Sequence, residues 1–313
     1  MANRAACELL GDAELHLATT EPVVTDIARA FALAVEATDV EAPAVAQRGA
    51  VRDHLLGCTL INGQGQLLRF GGAVMKNVAG YDVSRLMVGA MGILGVLSDV
   101  SIKVLPRAVA TATLRFESDE AQALERMNEW AGQPLPVHAT AWWNGTLVVR
   151  LSGAQAAVQT AAGLMSQRGG ELVDPSLAHT FWQGLRDQSD EYFVSAQSAV
   201  AQGARLWRLS VPDTTGPLPL EGDTLIEWSG AQRWLCTPAD PEEVRAVAQH
   251  HGGHATVYRA AQLTSVSMSD PTAEQRPQAF SPLSPTLMQL HRQLKAAFDP
   301  KGIFNPGRLY PDL

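Results

Sequence analysis

With 313 residues, of which 46% are hydrophobic and 18% charged, the chain is long enough for about two globular domains and too apolar to be disordered. Its formal net charge of −8 argues against nucleic acid as the main partner, because neutralising phosphates requires clustered lysines and arginines. Since no apolar run approaches the roughly 20 residues that span a bilayer, the sequence predicts no transmembrane segment. The three scattered cysteines predict a cytoplasmic location.

The cysteines and histidines give no sign of a metal or redox framework. Cys7, Cys58 and Cys236 are far apart, odd in number and in no C-x-x-C pair. We therefore expect reduced thiols, with neither disulfides nor an iron–sulfur site. In HHGGHAT, at 250–256, two histidines end a predicted helix and a third begins a strand. These positions favour helix-end and turn roles, with a ligand or proton-transfer role left open, and the sequence predicts no metal site.

The first 48 residues differ in character from those that follow. Residues 1–48 are rich in alanine and carry one helical signal, in which Thr25 caps a segment with Ile27 and Phe31 on one face. From residue 49 the pattern changes to β. The stretch VRDHLLGCTLINGQGQLLRF predicts two strands joined by a turn at 62–65, because Asn-Gly between apolar runs is a strong hairpin signal.

A glycine-rich stretch, GGAVMKNVAGYDVSRLMVGAMGILG, occupies residues 71–95. The alternation after it predicts a strand from Val96 that Pro106 stops. The glycines suit either a row of tight turns or a concave anion site, since glycine adopts positive φ and lets backbone N–H groups approach a ligand. A Rossmann site is disfavoured, because it needs G-x-G-x-x-G before a helix, and no Walker sequence is present.

Residues 109–259 predict a separate module. From TATLRFE to AQAAVQTAAGLMSQR the order is strand, helix, strand, strand and helix, with Ser118 capping the first helix, and this order resembles a ferredoxin-like sandwich. An irregular connection, HTFWQGLRDQSDEYF, then leads to a partial echo without the first helix, which indicates a duplication. The tryptophans of the module favour core packing, with a partner-docking face as the alternative.

After a polar loop at 260–284, the sequence predicts a docked C-terminal helix that stops at Asp299-Pro300. Its apolar face is predicted from helical spacing. That face consists of Leu287, Leu290, His291, Leu294 and Phe298.

Three segments carry a resemblance to a known family: GAVRDHLLG at 49–57, GGAVMKNVAGYDVSRLMVGAMGILGVLSDVSIKVLPR at 71–107, and FDPKGIFNPGRLY at 298–310. They resemble the FAD-binding subunits of bacterial glycolate oxidase complexes and, more broadly, flavoproteins of the PCMH-type or vanillyl-alcohol oxidase class, which include D-lactate dehydrogenases.

The resemblance implies an α+β fold with three parts. Residues 49–108 are expected to form the second half of a PCMH-type FAD-binding domain, and 109–259 a ferredoxin-like α+β cap domain. The C-terminal segment, 285–313, is expected to return to the FAD domain.

The resemblance also implies FAD as the cofactor, with backbone N–H groups of the turn at 89–96 directed towards it. Some of these positions have alternative roles without a cofactor contact. In these alternatives Tyr81 is a packing residue, Asp82 caps the next turn, and Arg52 and Asp53 form an ion pair. Arg308 is a further position near the flavin. The cofactor-binding candidates are Gly49, Val51, Arg52, Asp53, Asn77, Tyr81, Gly89, Gly92, Ile93, Leu94, Gly95, Val96 and Asn305.

The implied function is that of an FAD-binding subunit in a glycolate (2-hydroxy acid) oxidase or dehydrogenase complex, which oxidises glycolate to glyoxylate. Implied partners are a catalytic flavoprotein subunit, an iron–sulfur subunit and a small 2-hydroxy acid, with peripheral attachment at the inner membrane through those subunits. The class places a complete first FAD subdomain before the point matching Gly49, so we expect a truncated chain or a misread start. The alternative is a flavin-free structural subunit or a non-functional fragment, and no catalytic residue is assigned.

Overall fold

The computed structural model describes residues 51–72, 82–103, 108–261 and 278–313. The helix expected after Thr25, the rest of 1–48 and most of the polar loop lie outside the described residues. Contacts divide the chain into two compact units. Unit 1 holds the described residues of Gly49–Pro106 and Pro282–Leu313, and unit 2 holds those of Arg107–Ser281. The predicted domain boundaries stay predictions.

Unit 1 is built on a three-stranded antiparallel sheet, in which the middle strand Leu55–Ile61 pairs with Leu67–Gly71 on one side and Val96–Ile102 on the other. The predicted hairpin is confirmed, and Asn62 fixes its turn by accepting the N–H groups of Gln64 and Gln66 on Oδ1. The described elements are α1 (Val51–His54), β1 (Leu55–Ile61), β2 (Leu67–Gly71), a 3-10 helix (Ser84–Met87), β3 (Val96–Ile102) and the C-terminal helix (Pro285–Phe298).

The predicted first strand of the hairpin is wrong at its start, since Val51–His54 forms one helical turn. A helical turn places the adjacent side chains of Arg52 and Asp53 in solvent together, which the alternation of a strand does not allow. His54 at its end is buried, with Nδ1 3.3 Å from the carbonyl oxygen of Lys103.

The C-terminal helix packs mainly through its last turns. The predicted apolar face is wrong for Leu287 and Leu290, which are 47% and 54% exposed, whereas Leu294 and Phe298 are half-buried. The buried side chain of the helix is Lys295. Apolar spacing identifies a helix face, but it does not say how far the covering surface extends along that face.

Unit 2 is built on an eight-stranded antiparallel sheet. Its elements are β4 (Ala110–Glu117), α2 (Glu120–Ala131), β5 (Val137–Trp143), β6 (Thr146–Gly153), α3 (Gln155–Gln167), β7 (Glu171–Leu172), α4 (Pro175–Asp187), α5 (Glu191–Ala201), β8 (Arg205–Ser210), β9 (Asp223–Glu227), a 3-10 turn (Trp228–Gly230), β10 (Gln232–Thr237), α6 (Pro241–His250) and β11 (His254–Ala260).

The sheet consists of two copies of one arrangement. The first half has the spatial order β7-β4-β6-β5 and the second β11-β8-β10-β9, and the two meet through β5 and β9, where Ala141 lies opposite Glu227. The chain order of the first half, βαββαβ, is ferredoxin-like. In the second half, β8 leads to β9 without a helix. The predicted α+β class, ferredoxin-like order and missing helix are confirmed.

Apolar cores lie on both faces of this sheet. One core packs α2 and α3 against β4 and β6, around Phe116 and Leu147, and α6 covers the second half around Trp207. The opposite face carries α4 and α5, whose Trp182 and Tyr192 pack with residues of β5, β8, β9 and β10. Core packing of these tryptophans is thereby confirmed.

The prediction of an irregular connection at 179–193 is wrong, because the segment up to Asp187 belongs to α4 and the segment from Glu191 belongs to α5. Asp174 caps α4, with Pro175 at its start, and Asp190 caps α5 by accepting the N–H of Phe193 at 3.2 Å. Asp190, inside the segment predicted to be irregular, is therefore the capping residue at the start of a helix.

The predicted cap of α2 is displaced by one residue. Asp119, not Ser118, caps this helix, and its carboxylate accepts the N–H of Gln122 at 2.8 Å. Both residue types are good caps, so the sequence alone does not separate neighbouring positions.

Candidate functional site

The glycine-rich turn lies between the 3-10 helix and β3. Gly89, Met91 and Gly92 all have left-handed backbone conformations, with φ of 84°, 51° and 70°. The N–H of Ala90 donates to the carbonyl of Met87 at 3.3 Å, and that of Ile93 donates to Ala90 at 3.1 Å. Among the described residues, the N–H groups of Gly89, Met91 and Gly92 meet no backbone carbonyl. The turn therefore presents backbone donors of the kind that bind anions.

Two glycines of this turn have different reasons to be glycine. Gly95 has φ of 151°, and a Cβ there would overlap the carbonyl oxygen of Ile61 and lie 3.0 Å from Leu60 Cδ1. A Cβ on Gly89 would meet nothing within 4 Å. Gly95 is thus required by close packing against β1, whereas the space beside Gly89 is open to a ligand.

A cleft of about 350 Å³ borders the turn within unit 1. Arg52, Arg85 and His291 contribute its polar lining, beside Gly89. Apolar walls are formed by Leu86, Ile93, Leu94 and Leu294. Two guanidinium groups beside backbone donors suit a phosphate or diphosphate, because arginine binds phosphate oxygens through charge-assisted hydrogen bonds.

Asp82 holds the start of the 3-10 helix. Its Oδ1 accepts the hydroxyl of Ser84 at 2.7 Å, and its Oδ2 lies 2.9 Å from Nε of Arg85. Asp82 Oδ1 also accepts the backbone N–H of Arg85 at 3.4 Å, which agrees with the interpretation of Asp82 as a turn-capping residue, although Val83 occupies the N-cap position itself. Since both partners of the ion pair are about half exposed, the pair contributes little stability, and its effect is to hold Arg85 at the cleft.

A buried polar cluster at the end of the C-terminal helix was not predicted. Lys295 is 8% exposed and its Nζ donates to Ile93 O at 2.7 Å, to Asp299 Oδ2 at 2.6 Å and to Phe304 O at 2.7 Å. Asp299, 2% exposed, also accepts the N–H of Phe304. Outside this buried cluster, the exposed side chain of Asn305, which was predicted as a site residue, donates from Nδ2 to Met91 O at 2.9 Å. The available signal was the i, i+4 spacing of Lys295 and Asp299 at a helix end.

The electrostatics of this cluster favour the charged carboxylate. Burial acts to raise the pKa of Asp299, but the hydrogen bond from Lys295 and those from backbone N–H groups outweigh it, so the pKa lies below its ordinary 3.8. The cluster is therefore a closed ion pair at neutral pH.

The structure brings part of the predicted site together. Arg52, Gly89, Ile93 and Leu94 line the cleft. Gly92 belongs to the same turn, and the side chain of Asn305 anchors it. Val51, Asp53, Gly95 and Val96 do not line the cleft, and Gly49, Asn77 and Tyr81 lie outside the described residues.

The other features of the described residues that could carry chemistry or membrane attachment give no sign of either. Burial, with a smaller contribution from Asp82, raises the pKa of the Cys58 thiol to about 11, so this thiol stays protonated. Within the described ranges, no three His, Cys, Asp or Glu side chains are arranged to hold a metal ion. None of the helices in those ranges has the length and apolar character to cross a membrane.

Unit 2 contains a buried carboxyl group. Glu227 accepts Trp234 Nε1 at 2.6 Å and Gln232 Nε2 at 3.0 Å, and Arg208 Nε donates to the Gln232 side-chain oxygen at 2.8 Å. Burial raises the pKa of Glu227 above its ordinary 4.5, although these hydrogen bonds and Arg208 oppose the shift. The group is enclosed by its own sheet and has a packing role.

Comparisons with known proteins identify the family to which the chain is related. Residues 273–309 match the family model described as FAD linked oxidases, C-terminal domain. Glycolate oxidase subunit GlcE of Escherichia coli (strain K12) is 42% identical over 265 residues, which are 85% of this chain and 67% of that protein. Glycolate oxidase subunit GlcD of Bacillus subtilis (strain 168) is 38% identical over 66 residues, which are 21% of this chain and 14% of that protein.

Among solved structures, 4-ethylphenol oxidase from Gulosibacter chungangensis is similar over 83% of this chain and 66% of its own, with 13% identity and a TM-score of 0.48. The family resemblance predicted from the sequence motifs is confirmed by the similarity to GlcE. The chain belongs to the family of the glycolate oxidase subunit GlcE.

Proposed function

We propose that this chain is the FAD-binding subunit of a complex that oxidises glycolate or a related 2-hydroxy acid. Its relation to GlcE over 85% of the chain and the FAD-linked oxidase model at 273–309 support this. The observation that carries the proposal is the left-handed turn at 89–92, whose N–H groups border a cleft lined by Arg52 and Arg85.

The chemistry of the cleft fits part of a dinucleotide cofactor. The guanidinium groups of Arg52 and Arg85 suit the diphosphate, and the N–H groups of Gly89, Met91 and Gly92 suit phosphate oxygens or a flavin ring edge. The N–H of Ile93 is used by Ala90, so Ile93 contributes an apolar wall and not a hydrogen bond. These assignments describe one side of a cofactor site.

When bound, FAD supplies the group that accepts the hydride equivalent lost by the 2-hydroxy acid. The residues of this chain bind and orient that cofactor. Buried Ile93 and Leu94, each 3% exposed, exclude water from the back of the turn. A catalytic flavoprotein subunit and an iron–sulfur subunit complete the complex in this proposal, as its partners for substrate oxidation and electron transfer.

A second candidate is a flavin-free structural subunit that acts by binding partners. The observation that favours it is the exposed apolar side chains of Leu287 and Leu290 on the C-terminal helix. Flavin content separates the two candidates, because only the first requires FAD.

The test is an FAD titration of the purified full chain, followed by calorimetry and visible absorbance. We expect saturable binding that weakens about tenfold in Arg52→Gln, since one charge-assisted hydrogen bond is lost. Arg69→Gln is the matched control, because Arg69 is also exposed in unit 1 but does not line the cleft. Absence of FAD binding by the chain, alone and co-purified with its partner subunits, would reject the proposal in favour of the structural subunit.

A further inference from the structure

The tail of the chain holds two carbonyl groups of the glycine-rich turn. Lys295 Nζ donates to Ile93 O across 202 sequence positions, and Asn305 Nδ2 donates to Met91 O across 214. Both donors come from the segment that begins in the C-terminal helix and ends in the loop after it. The conformation of the turn therefore depends on residues far away in the sequence.

The contact made by Lys295 is rigid. An ammonium group has three donors, and all three are used, by Ile93 O, Asp299 Oδ2 and Phe304 O. The carboxylate of Asp299 balances the buried charge. The hairpin turn packs closely against the ion pair. The N–H of Gly63 donates to Phe298 O at 2.9 Å, and a Cβ on Gly63 would overlap Asp299. A buried ammonium whose three donors all have acceptors is held in one position.

Fixing a carbonyl also fixes the next N–H. In a planar trans peptide the C=O and N–H groups point in opposite directions. The anchor on Met91 O thus sets the direction of the Gly92 N–H, and the anchor on Ile93 O sets that of Leu94. An ammonium on a peptide oxygen also polarises the peptide and strengthens its N–H as a donor.

We infer that Lys295 and Asn305 are positioning residues for the cofactor turn: Asn305 sets the direction of the Gly92 N–H that the proposed function assigns to the ligand, and Lys295 fixes the Ile93–Leu94 peptide behind it. This inference rests on the proposed function. It assigns Asn305 an indirect role through the carbonyl of Met91, in place of the direct cofactor contact predicted from the sequence.

Asn305→Gly tests the inference, because glycine accepts the left-handed backbone of Asn305 (φ 40°) while losing the amide. The control is Asn144→Gly, the same change at φ 48° in unit 2. In the full chain we expect the FAD dissociation constant of Asn305→Gly to rise about tenfold, as for one lost hydrogen bond. Amide hydrogen exchange of Gly92 and Leu94, measured by NMR without FAD, should become faster, and the control should change neither value.

The double variant Lys295→Met/Asp299→Asn removes both charges of the buried pair together, and we expect a larger rise in the dissociation constant than for Asn305→Gly. Unchanged exchange at Gly92 and Leu94 in both variants would overturn the inference, as would unchanged FAD affinity. If the unmodified chain binds no FAD, the proposed function fails. The exchange measurement then still decides whether Lys295 and Asn305 hold the turn.

Discussion

The two units of this protein are stabilised in different ways. Unit 2 has an eight-stranded sheet with apolar cores on both faces, which contain fully buried side chains such as Leu147 and Trp207. Unit 1 has a three-stranded sheet, and its C-terminal helix buries a lysine while leaving leucines exposed. Among the described residues both units bury apolar side chains, such as Leu60 and Met87 in unit 1. The turn that carries the candidate site is held in addition by glycine geometry and by the buried ion pair of Lys295 and Asp299.

This comparison is accessible to experiment because the tryptophans are unevenly distributed. All seven lie between residues 130 and 234, hence in unit 2. Tryptophan fluorescence during urea unfolding thus reports on unit 2, whereas amide hydrogen exchange of β1 and β3 reports on unit 1.

The largest effect is expected in the apolar core of unit 2. Leu147→Ala, at a side chain that is 0% exposed, should lower the free energy of unfolding by about 3–4 kcal/mol, through lost burial and a cavity. The exposed leucine of the C-terminal helix in unit 1 is the control, and Leu287→Ala at 47% exposure should change the free energy of unfolding by less than about 0.5 kcal/mol. Urea unfolding followed by fluorescence and by exchange measures both. Equal losses would show that burial of the leucine side chain does not set the cost of its truncation.

Glycine geometry should dominate in unit 1. Gly95→Ala should destabilise this unit by about 2–3 kcal/mol, because its Cβ would overlap the backbone of β1 and the residue would be held at positive φ. Gly65→Ala is the control, since Gly65 also has positive φ (75°) but its Cβ would meet nothing within 4 Å; its cost should be about 1 kcal/mol. Faster exchange in β1 and β3 without a change in tryptophan fluorescence would place the defect in unit 1.

Unit 2 also contains buried polar groups, and Glu227 tests how much the stability of unit 2 depends on one of them. Glu227→Ala leaves the side chains of Trp234 and Gln232 without their acceptor, so we expect a loss of about 2 kcal/mol. Glu227→Gln retains an acceptor oxygen and should cost much less. A loss in the glutamine variant equal to that in the alanine variant would show that the charge, not the hydrogen bonds, matters.

The pH dependence of Glu227 has a definite sign. Its pKa is raised in the folded state above the ordinary 4.5 of the unfolded chain, so the folded protein retains a proton that the unfolded chain releases. Stability therefore decreases as the pH rises from about 4.5 through the raised value. In Glu227→Gln, whose side chain does not titrate, this decrease of stability with rising pH should be absent. Urea unfolding followed by tryptophan fluorescence across that pH range measures the difference.

The difference between the units also explains what was predictable. The ferredoxin-like order and its duplication follow from alternating strands and Asn-Gly turns, such as Asn144-Gly145, whose signals are local. The helices around Asp190 were missed because capping residues resemble loop residues. Asn305 was predicted as a site residue from the resemblance, but Lys295, Asp299 and the contacts with residues 91–93 were missed, because these contacts span more than 200 positions and no periodic pattern records them.

The smallest predicted effect concerns the cap of α2, where sequence and structure differ by one residue. Asp119→Ala should lower the stability of unit 2 by about 1 kcal/mol, because the N–H of Gln122 loses its acceptor. Ser118→Ala should change stability by less than about 0.5 kcal/mol or raise it slightly, since the buried Ser118 hydroxyl has no hydrogen-bond partner among the described residues. Fluorescence-detected urea unfolding compares the two. A larger loss for Ser118→Ala than for Asp119→Ala would restore the cap predicted from the sequence and would show that the α2 start differs from the structure.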